Sequence, residues 1–161
     1  MDVVGPVTPP SVFDDWYFLT IVTQASSFQI VKFLKNKWEV FDKFYITKTE
    51  MENLQKRTLK RLVTNRGGEF VNHSFKKLSD ACGYTHIMAP PETPQNNGFS
   101  KRANNMILEK TLFLMNQANL PKSYWAEVVN TAVLLSNLSP TPSRANQSLH
   151  FLWTNTSPKL E

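Results

Sequence analysis

The side chains in this sequence that could engage a ligand are mostly cations and amides. Lys56-Arg57, Lys60-Arg61 and Arg66 concentrate positive charge in a short span, and Lys101-Arg102 adds a second pair. That grouping suits contact with phosphates. It equally suits a helix C-terminus, whose free carbonyls attract cations, followed by solvated surface. Gln95-Asn96-Asn97-Gly98 has turn composition, and Asn104-Asn105 offers amides either to phosphates and bases or to solvent on a helix face. None of these features specifies a base sequence. Bond-making chemistry has less to draw on. His73, His86 and His150 show no His-x3-His spacing, and Cys82 is the single cysteine, without a His or Asp placed beside it by local spacing. Among the acids, Asp14-Asp15 reads as a turn, Glu92 as a solvated loop charge, and Glu69 as a carboxylate complementing a helix start. No metal ligand set emerges from these residues.

Composition bounds the answer loosely. A length of 161 residues with 41% hydrophobic and 12% aromatic content suits one globular domain with a sizeable core and argues against disorder. The net charge of +5 permits a nucleic-acid partner, but a mildly basic surface does not by itself require one. One cysteine rules out an internal disulfide and a multi-cysteine zinc site. The residues after Met1 lack the regions of a signal peptide, so an intracellular location is expected. Apolar runs stop well short of the roughly 20 residues that a membrane span needs, and no membrane partner is expected.

The elements that must position these side chains alternate between strand and helix, which predicts an α/β domain. Residues 17–22 and 28–34 are aromatic and β-branched, and should pair as an antiparallel hairpin across Gln24-Ala25-Ser26-Ser27. Trp38, Phe41 and Tyr45 predict a helix over about 37–56 with that face on the sheet. A strand over 59–64 follows. The spacing of Val71, Phe75, Leu78 and Cys82 predicts a helix stopped by Gly83, with Cys82 facing the core as a buried structural thiol. A strand over 85–89, a break at Pro90-Pro91 and a loop over 93–98 lead to a helix over about 99–116. That helix should bury Ala103, Met106, Ile107 and Leu114 and turn Lys101, Asn104 and Asn105 outward. Pro121 suits the first turn of a helix whose stripe is Trp125, Val128, Val129 and Ala132, and a short segment at 151–153 closes the chain.

Two stretches carry a resemblance to a known family. Thr93-Pro-Gln-Asn-Asn-Gly-Phe-Ser-Lys-Arg102 and Leu62-Val-Thr-Asn-Arg-Gly-Gly-Glu-Phe70 resemble the last two acid-bearing motifs of copia-type LTR retrotransposon integrase catalytic cores. There the segments read Thr-Pro-Gln-Gln-Asn-Gly, two residues, then Glu-Arg, and Leu-Arg-Ser-Asp-Asn-Gly-Gly-Glu-Phe. Met1-Asp-Val-Val-Gly-Pro6 is similar to the opening of those cores, and Asn119-Leu-Pro, Tyr124-Trp125 and Asn130-Thr-Ala132 follow their later pattern. Aligning the motifs puts the family's Asp, Asp and Glu on Asp2, Asn65 and Lys101, and 35 residues intervene between the last two, the spacing that names the Asp-Asp-35-Glu enzymes.

The resemblance implies an RNase H-like α/β fold: a central mixed sheet of about five strands flanked by helices on both faces. It also implies DNA integration as the ancestral process. In the family, Mg²⁺ or Mn²⁺ pairs roughly 4 Å apart are held by three carboxylates. Here those positions carry an acid, an amide and an ammonium, and a protonated Lys has no lone pair to offer a metal. The expectation is therefore a degenerate active site with no bound cofactor and no strand transfer. A nucleic-acid-binding role would remain, with contacts at Lys60, Arg61, Arg66, Gln95, Asn96, Asn97, Lys101, Arg102, Asn104 and Asn105. The expected partner is DNA, without sequence specificity, with a homodimer or association with an intact integrase beside it, and a nuclear location if functional. Two alternatives stay open: residual metal-dependent polynucleotidyl transfer rescued by Glu69, Glu92 or another acid, and a protein-interaction or dimerisation module. Met1 directly precedes Asp2, so residues 1–161 are expected to form one core whose first strand is truncated, without the family's upstream zinc-binding domain or downstream basic tail.

Overall fold

The computed structural model describes residues 1–89, 94–141 and 146–157, with the backbone alone at 94–97. Glu92, Thr93 and the side chains of Gln95, Asn96 and Asn97 lie outside the described residues. Along the chain run β1 (Asp2–Val4), β2 (Tyr17–Val22), β3 (Gln29–Leu34), α1 (Val40–Gln55), β4 (Arg61–Thr64), α2 (His73–Cys82), β5 (Thr85–Met88), α3 (Pro94–Gln117), α4 (Trp125–Leu138), β6 (Pro140–Thr141), β7 (Gln147–Ser148) and α5 (Leu149–Thr154). The arrangement is α/β, as expected. No helix among the described residues is long and apolar enough to cross a membrane.

Strands β2 and β3 form the expected antiparallel hairpin, with Tyr17 opposite Leu34 and Val22 opposite Gln29. Thr23 closes its turn: its N–H donates to the Phe28 carbonyl at 2.9 Å and its Oγ1 accepts from the Phe28 N–H at 3.0 Å. β1 pairs antiparallel with the other edge of β2, setting Asp2 opposite Thr20. β4 and β5 run parallel through the α2 crossover, the connection that parallel strands require. Among the described residues these ladders form three separate sheets, β1-β2-β3, β4-β5 and β6-β7, where one five-stranded sheet was expected. Between the first two, the backbone nitrogen of Met1 donates to the Val63 carbonyl at 2.8 Å. β1 is three residues long, and a single such bond to β4 does not make a ladder.

Two hydrophobic clusters hold the helices. Val40, Phe44 and Phe75 of α1 and α2 pack with Leu19, Leu34 and Leu62 in one. Ile107 of α3 and Trp125, Val129 and Val133 of α4 pack with Phe18 in the other. Adjacent strand residues point to opposite faces, so Phe18 and Leu19 send β2 into both. The α4 stripe is buried as its spacing predicts. On α1 the phase differs: Val40, Phe44 and Thr47 are buried while Trp38 is 76% exposed and Tyr45 is exposed. A tight helical turn at Lys37–Glu39 precedes α1, with Asn36 and Glu39 forming a capping box, and this leaves Trp38 outside the helical register.

Helix α2 begins later than its apolar spacing suggests. Asn72 caps it, accepting from the Phe75 N–H at 3.1 Å, so Val71 falls outside the helix and is exposed. Gly83 stops it at φ 69°, a conformation that a residue without Cβ adopts at little cost. Cys82 is exposed, not core-facing. Helix α3 starts at Pro94, before the expected Phe99, because proline's missing N–H and fixed φ suit a first helical position. Ala103 and Ile107 are buried, but Met106 is exposed and Leu114 half-buried. Asn104, expected on the solvent face, is 5% exposed.

Candidate functional site

Asp2 at the start of β1, Asn65 just after β4 and Asn104 on α3 meet in one hydrogen-bonded cluster. Asp2 Oδ1 accepts from the Asn65 amide nitrogen at 2.8 Å and from the Val3 N–H at 3.1 Å. Asp2 Oδ2 accepts from the Asn104 amide nitrogen at 3.1 Å. A carboxylate accepts only, so both amides must turn their NH₂ groups toward it. Asn65 Oδ1 then accepts from the Gly67 N–H at 2.8 Å, which shapes the loop after β4. Among the described residues Asn104 Oδ1 is buried without a partner.

Charge around this cluster comes from two sides. Burial pushes the Asp2 carboxyl above its usual range, opposed by the Val3 N–H, the Met1 amino group and Lys101, while the Glu69 carboxylate pushes it further up. Lys101 itself is exposed on α3. Glu69 folds back over Gly67, where its carboxyl occupies the space that a Cβ would need. One carboxylate that already accepts three hydrogen bonds, two amide NH₂ groups and an ammonium do not fit a pair of divalent cations, which call for several anionic oxygens. Among the described residues no group of three His, Cys, Asp or Glu side chains could hold a metal ion.

Supporting contacts reach outward from the cluster. Thr64 Oγ1 donates to the Asn65 carbonyl at 2.9 Å and lies 3.0 Å from His86 Nε2, tying the end of β4 to β5. Burial, and then the Met1 amino group, hold His86 below the usual histidine range. Ser100 Oγ accepts from the Met1 backbone nitrogen at 3.0 Å. Ser100 and Asn104, four residues apart, thus form the polar edge of the inner face of α3, a pairing that spacing alone could have suggested. His86, Thr64 and Ser100 were not singled out by the sequence as site residues.

The basic residues stand on the surface, with Arg66 next to Asn65 in the chain and Lys101 near enough to act on Asp2. Lys56, Arg57, Lys60, Arg61, Arg66, Lys101 and Arg102 are exposed, as is Asn105. The ion pairs among the described residues are Lys32 with Glu50 and Lys48 with Glu52, so none of these seven cations has a carboxylate partner there. Arg102 instead lies over the Phe99 ring at 5.3 Å.

No protein-family model matches the chain. It is 38% identical over 154 residues to the retrovirus-related Pol polyprotein from transposon TNT 1-94 of Nicotiana tabacum, covering 96% of this chain and 12% of that protein. It is 35% identical over 132 residues to the corresponding polyprotein of transposon RE2, and 31% identical over 145 residues to that of RE1, both of Arabidopsis thaliana. Those matches cover 82% and 90% of this chain. The chain spans 9–12% of the length of these three relatives. Its fold is similar to that of a chain in a cryo-electron microscopy structure of the simian T-cell lymphotropic virus intasome in complex with PP2A regulatory subunit B56 gamma. There the TM-score is 0.69 at 16% identity, covering 90% of this chain and 50% of that one.

Proposed function

This chain belongs with the Pol polyproteins of copia-type retrotransposons, of which it matches a segment, and from that premise we propose that it is an integrase-core-like domain that binds DNA without joining it. The observation that carries the reading is the Asp2 carboxylate held by the NH₂ groups of Asn65 and Asn104, with the Lys101 ammonium bearing on it. Amide hydrogens occupy the carboxylate lone pairs that a divalent cation would need, and the ammonium supplies the local positive charge. The Met1 to Val63 bond supports a continuous RNase H-like sheet in the order β3-β2-β1-β4-β5. The helical clusters on the two faces of β2 agree with that arrangement.

On this reading Lys101 stands where the scissile phosphate of an active relative would rest. A carboxylate there repels phosphate unless metal neutralises it, whereas an ammonium attracts phosphate directly. Lys60, Arg61, Arg66 and Arg102, exposed and without carboxylate partners among the described residues, extend the positive surface along the backbone of a duplex. Contacts of this kind position DNA and read no sequence. A role on DNA calls for a nuclear location.

The test is a DNA-binding assay run beside a strand-transfer assay on the purified chain. Duplex binding should be insensitive to chelator, and removing one phosphate-binding cation should reduce the log–log salt slope by about 0.9. Lys101→Glu should weaken metal-free binding more than Lys101→Ala does. No joining should occur with Mg²⁺ or Mn²⁺. Metal-dependent joining that disappears in Asp2→Ala would favour residual activity, with Glu69 as the acid already acting on Asp2. Loss of DNA binding on chelation would remove the proposed role of Lys101.

A further inference from the structure

The outer edge of β3 is only partly closed. Asn137, near the end of α4, donates its amide NH₂ to the Gln29 carbonyl at 2.7 Å and accepts from the Gln29 N–H at 3.0 Å. One amide group thus exchanges both bonds with one residue, as a facing residue of an antiparallel strand does. Gln29 therefore turns its backbone away from β2. Residues two apart along a strand turn the same way, so Val31 and Phe33 present their N–H and C=O groups at that edge as well. Both are half-buried, and among the described residues no hydrogen bond reaches those outward groups. On the face of β3 that carries Phe28, Ile30 and Lys32 lies a groove of about 240 Å³, bordered by Met51 and Leu54 of α1 and Trp153 of α5. Trp153 stacks on Phe28 at 5.9 Å, and Leu54 is 68% exposed.

We propose that β3 accepts an extended peptide strand from a partner protein, added antiparallel at this edge, with alternate side chains entering the groove. Partner residues facing Phe33 and Val31 exchange backbone bonds with them, and those facing Lys32 and Ile30 fall on the face of the groove. The occupant is an extended backbone because the unmet donors and acceptors recur at strand spacing, and Asn137 already fits an amide at the first of the three positions. Its groove side chains are apolar, to match Ile30, Met51 and Leu54. Lys35 and Lys37 stand exposed just past β3 without ion pairs among the described residues. An antiparallel strand brings its N-terminal end to them, so that end is acidic. A second copy of the chain fits less well: pairing Val31 of each copy with Phe33 of the other centres on Lys32 and sets like charges opposite one another. The inference stands apart from DNA binding, and its test contains no nucleic acid.

The probe is the peptide Glu-Glu-Thr-Ile-Thr-Val, fluorescein-labelled at its N-terminus and amidated at its C-terminus, followed by anisotropy on titration with the full chain. Its two Thr residues face Phe33 and Val31, and its Ile and Val enter the groove. Saturable binding is expected. N-methylation at either Thr removes an N–H that faces β3 and should weaken binding by about tenfold or more. N-methylation at Ile, whose N–H points away from β3, should change it far less. Leu54→Glu should weaken binding as strongly as a Thr methylation, with circular dichroism and melting reporting that the variant remains folded. Amide exchange of Val31 and Phe33 should slow on adding peptide, more than that of Ile30 and Lys32, which already bond to β2. No binding at millimolar peptide, equal loss from methylation at Thr and at Ile, indifference to Leu54→Glu, or unchanged exchange at Val31 and Phe33 would overturn the proposal. Self-association of the chain that Leu54→Glu abolishes would assign the edge to a second copy, and would overturn it too.

Discussion

Replacing Asn65 with aspartate tests the site at its shortest hydrogen bond. The Asn65 amide nitrogen lies 2.8 Å from Asp2 Oδ1. Asn65→Asp removes a hydrogen bond to a charged group, which contributes about 1.5–3 kcal/mol, and sets two carboxylates face to face. At an effective dielectric constant near 20 their repulsion at that separation is about 6 kcal/mol. The pair escapes most of it by keeping one proton, which for an ordinary Asp at neutral pH costs at most about 4 kcal/mol. The Asp2 carboxyl is already pushed up by burial, so protonation is cheaper than that limit. A net destabilisation of about 2–4 kcal/mol near pH 7 is expected. Because the folded-state pKa of the pair is raised above the unfolded value, the penalty should shrink as pH falls toward the carboxylate range. The assay is urea denaturation of both proteins across pH, without metal and then with Mg²⁺ or Mn²⁺. Combining Asn65→Asp with Lys101→Glu should give the largest metal-induced rise in melting temperature, since ligands of one site act as a unit. An Asn65→Asp protein as stable as the original at pH 7 would mean that the bond to Asp2 does not form in solution, and the amide-held carboxylate would fail as a description of the site.

Two other perturbations follow from the packing and the charge pattern. His86 is held below the usual histidine range, so the folded state resists protonation that the unfolded chain accepts. Its contribution to stability is full above about pH 6.5 and is lost as pH falls toward the folded value; denaturation midpoints should decline over that window, and less so in His86→Gln. Phe75 is fully buried, with ring centroids of Phe41, Phe44 and Phe70 at 5.2, 5.4 and 6.0 Å. Phe75→Ala should cost about 3–5 kcal/mol by equilibrium unfolding, and a cost below about 1 kcal/mol would contradict the packing described.

What could be read from the sequence divides along physical lines. The β2–β3 hairpin was legible because both strands are rich in β-branched and aromatic residues and a polar turn separates them. The α4 stripe was legible because Trp125, Val128, Val129 and Ala132 fall on one side of the helix, while Leu134 and Leu135 near its end are exposed. On α1 the period was readable but the phase was not, since Trp38 and Tyr45 offered an aromatic stripe that competes with Val40 and Phe44, and periodicity does not choose between two apolar faces. Cys82 was misplaced for a related reason: the Asn72 cap starts α2 two residues after Val71, so the stripe drawn through Val71 drifts off the core. Asn104 was beyond local reading. A buried asparagine calls for hydrogen-bond partners, and the one that its NH₂ group finds, Asp2, is 102 positions away. The site positions Asp2, Asn65 and Lys101 came from motif resemblance, whereas the amide network joining Asp2, Asn65 and Asn104 required the fold.

Strand β2 sends Phe18 into the cluster under α3 and α4, and Leu19 into the cluster under α1 and α2. The two hydrophobic clusters that seat the helical layers therefore share one strand and lie on its opposite faces. Opening one layer bares β2 and strips support from the other, so both layers should melt together, and the amides of β2 should be among the slowest to exchange with solvent.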